Sequence, residues 1–323
     1  MSLENIKKVR EGVMDNVSRV IVGKENVATL AIITLLCGGH MLIDDVPGTG
    51  KTVLSKTFAK SLSLDFKRVQ CVPDMLPSDI VGVNFFDMKE NEFRFVRGPV
   101  FTNILLADEI NRAMPKTQSG LLEAMEEHQV TVDGVTYVLD EPFMVIATQN
   151  PVETKGTFDL PEAQLDRFLI KTSMGYPSVS ESVEILSRKL VPADEKDVCA
   201  TEVDRDTVLA ARRELESVYV HNDLLAYAAE ICAETRRGSE VLLGASPRAM
   251  IALVKVAQGF AALSDRDYLL PDDIKRAAIP VLAHRIVFNN SFFHRQNMGE
   301  EYIAQVLERV AVPSEQIAFS RKI

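Results

Sequence analysis

Asp45-Val46-Pro47-Gly48-Thr49-Gly50-Lys51-Thr52 is the stretch on which the fold turns. It follows a short apolar run, His40-Met41-Leu42-Ile43, and precedes the helix-like Val53-Leu54-Ser55-Lys56-Thr57-Phe58, so the order reads strand, loop, helix. In that setting Gly48 and Gly50 let backbone amides turn inward around phosphate oxygens. Lys51 then reaches the terminal phosphates and the Thr52 hydroxyl ligates Mg²⁺. The alternative is a plain glycine turn; the strand-loop-helix setting favours a phosphate cradle and a nucleoside triphosphate as ligand. Asp45 stands where such a loop usually has its first glycine, which bears on the entry turn and leaves the cradle possible.

Outward from this loop, short β-rich runs alternate with helical segments as far as about residue 176: His40 to Ile43, Phe66 to Cys71, Asn103 to Ala107, Phe143 to Thr148 and Phe168 to Thr172. Five buried strands with interleaved helices predict an α/β fold, a parallel sheet covered on both faces. Two insertions interrupt it. Residues 85–95 alternate apolar and polar about a polar tip, and Val130-Thr131-Val132 and Val135-Thr136-Tyr137 flank Asp133-Gly134, a two-residue hairpin turn. After Pro177 the β signal stops. The segments 206–218, 222–237, 246–263, 271–284 and 298–310 all read as helix, with start signals at Asn222 and Ser246-Pro247. The expected organisation is an αβα core over 1–176, a connection over 177–205 and a smaller all-helical domain over 206–323.

Bulk properties narrow the function. The chain has 323 residues, 46% of them hydrophobic, enough to bury substantial cores. Its longest apolar stretch, Val27 to Cys37, is too short to span a bilayer, and the N-terminus spaces Leu3, Ile6, Val9, Val13, Val17 and Val20 as a surface helix without a cleavage pattern. A cytoplasmic protein with no membrane association is the expectation. Cys37, Cys71, Cys199 and Cys232 are scattered, with no metal-binding spacing. A net charge of −10 opposes binding to nucleic acid.

Ile104-Leu105-Leu106-Ala107-Asp108-Glu109 is an apolar strand ending in two carboxylates, at the strand end where open α/β sheets bind ligands. Asp108 would hold the hydrated Mg²⁺ shared with Thr52, and Glu109 would polarise the attacking water. Alone, the pair is a solvated strand end; coupled to the phosphate loop it becomes catalytic. Asn150, after the strand Phe143 to Thr148, could orient that water if its strand lies between the other two, or could merely start a turn with Pro151. Arg167 ends a short helix beyond the sheet, suited to reaching a neighbouring subunit's nucleotide, or to a local pair with Asp166 or Glu162. Arg248 falls in the first turn of a helix, where the dipole disfavours a cation; an anion nearby or a surface salt bridge would account for it.

In combination these stretches resemble the AAA+ ATPases and, within them, the MoxR family. The resemblance covers nearly the whole chain. Its most specific parts are Leu106 to Ala113, Pro115 to Ser119, Leu121 to Glu127, Ala147 to Pro151 and Leu160 to Phe168. It implies ATP and Mg²⁺ as ligands, with Walker A at Pro47, Gly48, Thr49, Gly50, Lys51 and Thr52 and Walker B at Asp108 and Glu109. It also implies sensor 1 at Asn150, an arginine finger at Arg167, sensor 2 at Arg248 and an adenine-side segment at Ile21, Val22 and Gly23. The two insertions look like the helix-2 insert and the pre-sensor-1 hairpin, and the helical domain like the lid. The resemblance further implies an ATP hydrolase acting as a homo-hexameric ring and a chaperone-like activator of protein clients, often with a von Willebrand factor A domain partner. Competing readings are the ATPase subunit of a metal chelatase and a nucleic-acid motor. The acid at the Asp133-Gly134 tip argues against the motor.

Overall fold

The computed structural model describes residues 3–46, 48–151, 156–190, 203–289 and 297–313. Pro47, Cys199 and the stretch 191–202 of the expected connection lie outside the described residues. In chain order the elements are α1 (Glu4–Val20), α2 (Glu25–Leu36), β1 (Met41–Asp44), α3 (Lys51–Lys60), β2 (Phe66–Gln70), α4 (Pro77–Val81), β3 (Gly82–Asp87) and β4 (Glu92–Arg97). There follow β5 (Ile104–Asp108), α5 (Pro115–Glu127), β6 (Gln129–Val132), β7 (Val135–Val138), β8 (Met144–Gln149), α6 (Glu162–Leu165) and β9 (Ile170–Thr172). The remainder is α7 (Val179–Leu190), α8 (Arg205–Glu216), α9 (Asn222–Glu234), β10 (Val241–Leu243), α10 (Pro247–Leu263), α11 (Pro271–Leu282), β11 (Val287–Phe288) and α12 (Met298–Arg309).

The five expected strands form one parallel sheet in the order β2-β5-β8-β1-β9. Alternation along each strand divides its side chains between two cores. Met41, Ile43, Ile104, Leu106, Met144 and Ile146 join one; Leu42, Leu105, Ala107, Val145 and Ala147 join the other. With both faces covered, the strands read as continuous apolar runs, and this made them legible in the sequence. The order puts β8 between β1 and β5, so the strand leading to Asn150 runs between the phosphate-loop strand and the acidic strand.

Both insertions are two-stranded antiparallel hairpins, β3 with β4 and β6 with β7. The Val27 to Cys37 run is α2, buried against α1 and α10. Helix α1 buries Ile6, Val9, Val13 and Val17 against α8, α2 and α3. Its first amides are satisfied from α8, where the Glu214 carboxylate accepts from Asn5 N at 3.0 Å and Ile6 N at 3.0 Å. A carboxylate there also meets the positive end of the helix dipole. Helix α8 starts on Asp204, which accepts from Thr207 N, and α10 starts on Ser246, which accepts from Ala249 N with Pro247 next in line. The helical part also carries a short antiparallel pair, β10 with β11, that its helical periodicity did not announce. Among the described residues no helix is long and apolar enough to cross a membrane.

Candidate functional site

The loop from Asp45 to Gly50 leaves β1 and enters α3 at the carboxyl end of the sheet. Gly48 and Gly50 have φ of +84° and +92°, a region that glycine adopts without strain. A side-chain carbon built at Gly48 would meet nothing within 4 Å, so the loop is open around Gly48. The Thr49 hydroxyl donates to the Val46 carbonyl at 3.3 Å, bracing the turn. Lys51 is buried, and its ammonium donates to the Asp45 carbonyl at 2.8 Å. Burial pushes its pKa down, and the surrounding carboxylates of Asp45, Asp108, Glu109 and Asp44 oppose that shift. Thr52 follows it in the first turn of α3. These residues fit a triphosphate: a glycine turn, a helix N-terminus and a buried lysine beside it.

Asp45, the departure from the usual loop, has a structural task. Its Oδ1 accepts from Val46 N at 2.8 Å, and its Oδ2 accepts from Met174 N at 3.0 Å and Gly175 N at 2.9 Å. Lys24 donates to the carbonyls of the same two residues, Met174 at 2.6 Å and Gly175 at 3.3 Å. The entry turn is thus anchored by a carboxylate to the chain just beyond β9. Val22 and Gly23 lie in the link between α1 and α2. Gly23 has φ +69°, a left-handed backbone that favours glycine, and the Glu181 carboxylate of α7 lies against it.

Asp108 ends β5, and Glu109 follows with a left-handed backbone, φ +56°, which breaks the strand's alternation. Asp108 accepts from Thr148 Oγ1 at 2.6 Å and from Arg68 Nη2 at 2.7 Å. Glu109 Oε2 accepts from Gln70 Nε2 at 2.8 Å and Arg112 Nε at 2.9 Å, and its amide donates to Thr148 Oγ1 at 2.9 Å. Asn150, buried, follows β8 on the same edge, and its carbonyl accepts from Asn111 Nδ2 at 3.4 Å. The sheet therefore brings Lys51, Asp108, Glu109 and Asn150 to one end. Thr52 and Asp108 are the oxygen donors that would hold a magnesium ion there, should one bind.

Arg167 and Arg248 lie elsewhere. Arg167 sits just before β9, at the amino end of the sheet, beside the carbonyl of Leu122 (Nη1 to O, 2.7 Å) and the carboxylate of Glu126 (Nη2 to Oε2, 3.2 Å). Neither Asp166 nor Glu162 is its partner in those contacts; Asp166 accepts from the buried Arg285 at 2.7 Å. Arg248 Nη2 lies 2.6 Å from the other Glu126 oxygen. This is the anion that a cation in the first turn of α10 called for, and it raises the pKa of Arg248. The two arginines share a cleft of about 250 Å³ with His40, Glu126, Lys255 and Arg285. Four residues of β1, about 13 Å of strand, separate this cleft from the phosphate loop.

Arg68, Gln70, Arg112, Thr148, Glu126 and Arg285 join these two clusters without having stood out in the sequence. Arg68 and Gln70 alternate on one face of β2, a signal that becomes readable only once β2 is known to lie beside β5.

Two family profiles match the chain: the ATPase family associated with various cellular activities (AAA) over residues 40–170, and the AAA lid domain over 233–306. The uncharacterised protein YeaC of Bacillus subtilis is 45% identical over 94% of this chain and 95% of its own length. Chaperone MoxR1 of Mycobacterium tuberculosis is 38% identical over 92% of this chain and 80% of its own. Among solved structures, that of a candidate ATPase from Cytophaga hutchinsonii superposes with a TM-score of 0.84 at 37% identity, covering 96% of this chain and 98% of that one. With a phosphate loop facing a paired-acid strand across β8, a matching lid and relatives that run nearly end to end, the chain belongs to the MoxR family of AAA+ ATPases.

Proposed function

We propose that the chain is a magnesium-dependent ATP hydrolase that works as a homo-hexameric ring, each active site shared between neighbouring copies, and that it remodels or activates protein clients in the cytoplasm. The observation that carries the reading is the division of the charged machinery. Lys51, Asp108, Glu109 and Asn150 stand at the carboxyl end of the sheet, and Arg167 and Arg248 at the amino end. A phosphate held by the loop lies beyond the reach of its own subunit's arginines. In a head-to-tail arrangement the arginine end of one copy faces the loop of the next, and such an interface closes into a ring.

In this reading the amides of residues 48–52 would hold the phosphates, and the Lys51 ammonium would exchange the Asp45 carbonyl for phosphate oxygens. Thr52 and Asp108 would hold magnesium, whose chemistry there is to neutralise charge on the phosphates. Glu109 would accept a hydrogen bond from the attacking water, for which its acceptor sites suffice, since Gln70 and Arg112 both bind Oε2. Asn150 would orient the same water. Arg167 and Arg248 of the adjacent copy would offset the charge that develops in the transition state, an effect worth about 10³–10⁵ in rate where such arginines have been measured.

The chaperone-like role takes its support from the name of the mycobacterial relative and from the exposed hairpin β3–β4. A von Willebrand factor A domain protein is the partner this role would bring. Turnover per subunit should rise with protein concentration, and Arg167→Ala should lower it at least a hundredfold with ATP binding retained. Equal turnover by dilute and concentrated protein would sink the shared site.

A further inference from the structure

Arg167 and Arg248 come from different parts of the chain, and one side chain of α5 holds both. Glu126 Oε2 is 3.2 Å from Arg167 Nη2, and Oε1 is 2.6 Å from Arg248 Nη2. The backbones carrying the two arginines are fixed independently of this carboxylate. Arg285, buried and reaching from the end of α11, donates to the Asp166 carboxylate at 2.7 Å and the Phe168 carbonyl at 2.7 Å, one residue to either side of Arg167. The Ser246 cap fixes the first turn of α10. What Glu126 does is draw the two guanidinium ends together, holding that of Arg248 and sharing that of Arg167 with the Leu122 carbonyl. Lys255 and Arg285 line the same cleft, with Asp166 taken up by Arg285, and two guanidinium ends side by side there would separate unless an anion stood between them.

We propose that Glu126 is a positioning residue for the shared site: its carboxylate sets Arg167 and Arg248 as a pair aimed at one anion, the terminal phosphate of a triphosphate held by the neighbouring copy. The inference rests on the reading that these arginines act between subunits. Each guanidinium has five N–H donors, so neither is exhausted by Glu126. Arg248 gives it only Nη2, and Arg167 divides Nη2 and Nη1 between Glu126 and the Leu122 carbonyl. The remaining N–H groups belong to one pre-organised pair, and such groups stabilise a developing charge without reorganising at the moment of reaction.

The test uses the full chain and ATP turnover in mixed assemblies. Glu126→Gln keeps the size and removes the charge; turnover should fall at least tenfold, with a fluorescent ATP analogue still binding dilute subunits within twofold of the unmodified affinity. Lys51→Ala subunits, dead at their own loop but intact at the arginine end, should restore turnover several-fold when mixed in excess with Glu126→Gln subunits. Glu126→Asp, which keeps the charge on a shorter arm, should fall between the two and serves if the glutamine variant does not fold. Arg167→Ala mixed with the same Lys51→Ala subunits is the control on the underlying reading. If that control is not rescued, the shared site itself is wrong. If it is rescued while Glu126→Gln turns over normally, or loses activity that mixing cannot restore, the role assigned to Glu126 is wrong and the shared site stands.

Discussion

Asp45 holds three backbone amides on one buried carboxylate, and this explains why a loop that could have had glycine at its first position does not. Hydrogen bonds to a charged acceptor contribute about 1.5–3 kcal/mol each, and amides left buried without a partner cost further. Asp45→Gly should therefore destabilise the nucleotide-free protein by about 2–4 kcal/mol in urea unfolding, with Asp45→Asn retaining part of that; a glycine variant as stable as the parent would show that the anchor is dispensable. Individual residues were legible in the sequence where a motif fixes both spacing and setting, as for Lys51, Asp108 and Glu109. Arg68 and Glu126 were not, because their partners lie 40 residues or more along the chain. Only the strand order and the packing of α5 bring them within reach.

Among elements, the two hairpins behave as one. Phe95 of β4 stacks on Tyr137 of β7 with ring centroids 4.1 Å apart, Phe101 packs edge-on to both, and Asn84 of β3 donates to the Asp133 carboxylate at the other tip, at 2.8 Å. Phe86 and Phe93, on the same face but nearer the hairpin tip, pair with each other at 5.2 Å, Phe93 being 73% exposed. The phenylalanines of this face thus divide along the hairpin, Phe95 docked on the second hairpin and Phe86 with Phe93 toward the tip. Phe95→Ala should cost about 1–2 kcal/mol of stability by thermal or chemical unfolding, and Phe93→Ala less than about 0.5 kcal/mol. Equal costs would mean that the hairpins are not joined through Phe95. The hairpins themselves were evident from period-2 alternation and from Asp133-Gly134. Their mutual docking was not, since cross-hairpin stacking leaves no local pattern.

For the whole molecule, pH dependence reports how the parts are joined. His40 lies under the sheet; its Nδ1 accepts from Val145 N at 3.0 Å, so Nε2 carries the proton donated to the Met125 carbonyl at 2.9 Å. Burial pushes its pKa down to about 4, despite that carbonyl, and burial also pushes the pKa of His284 down. Between the ordinary histidine pKa of about 6.5 and about 4, the unfolded chain takes up protons that the folded one refuses. Stability should therefore fall as pH drops through that window, by roughly 3 kcal/mol from His40 at about 1.4 kcal/mol per unit. About half of the fall should be visible between pH 6.5 and 5, before paired carboxylates such as Glu126, held below their usual range, begin to protonate. Urea unfolding of dilute, nucleotide-free protein at those two pH values measures it, and an unchanged midpoint would contradict the buried neutral imidazole. At this scale the α/β sheet was readable because its strands are apolar on both faces. The short β10–β11 pair escaped because two- and three-residue strands carry no period.

The grip of α11 on the arginine segment has one last consequence. Arg285 and His284 hold the carbonyls of Asp166, Phe168 and Leu169 from the helical side, so this stretch cannot shift while α11 stays still. In a closed circle of copies, any tilt of one helical half would carry Arg167 toward or away from the adjoining copy's triphosphate. The posture of one copy's helical half and the charge reaching its neighbour's nucleotide would then be set by a single contact.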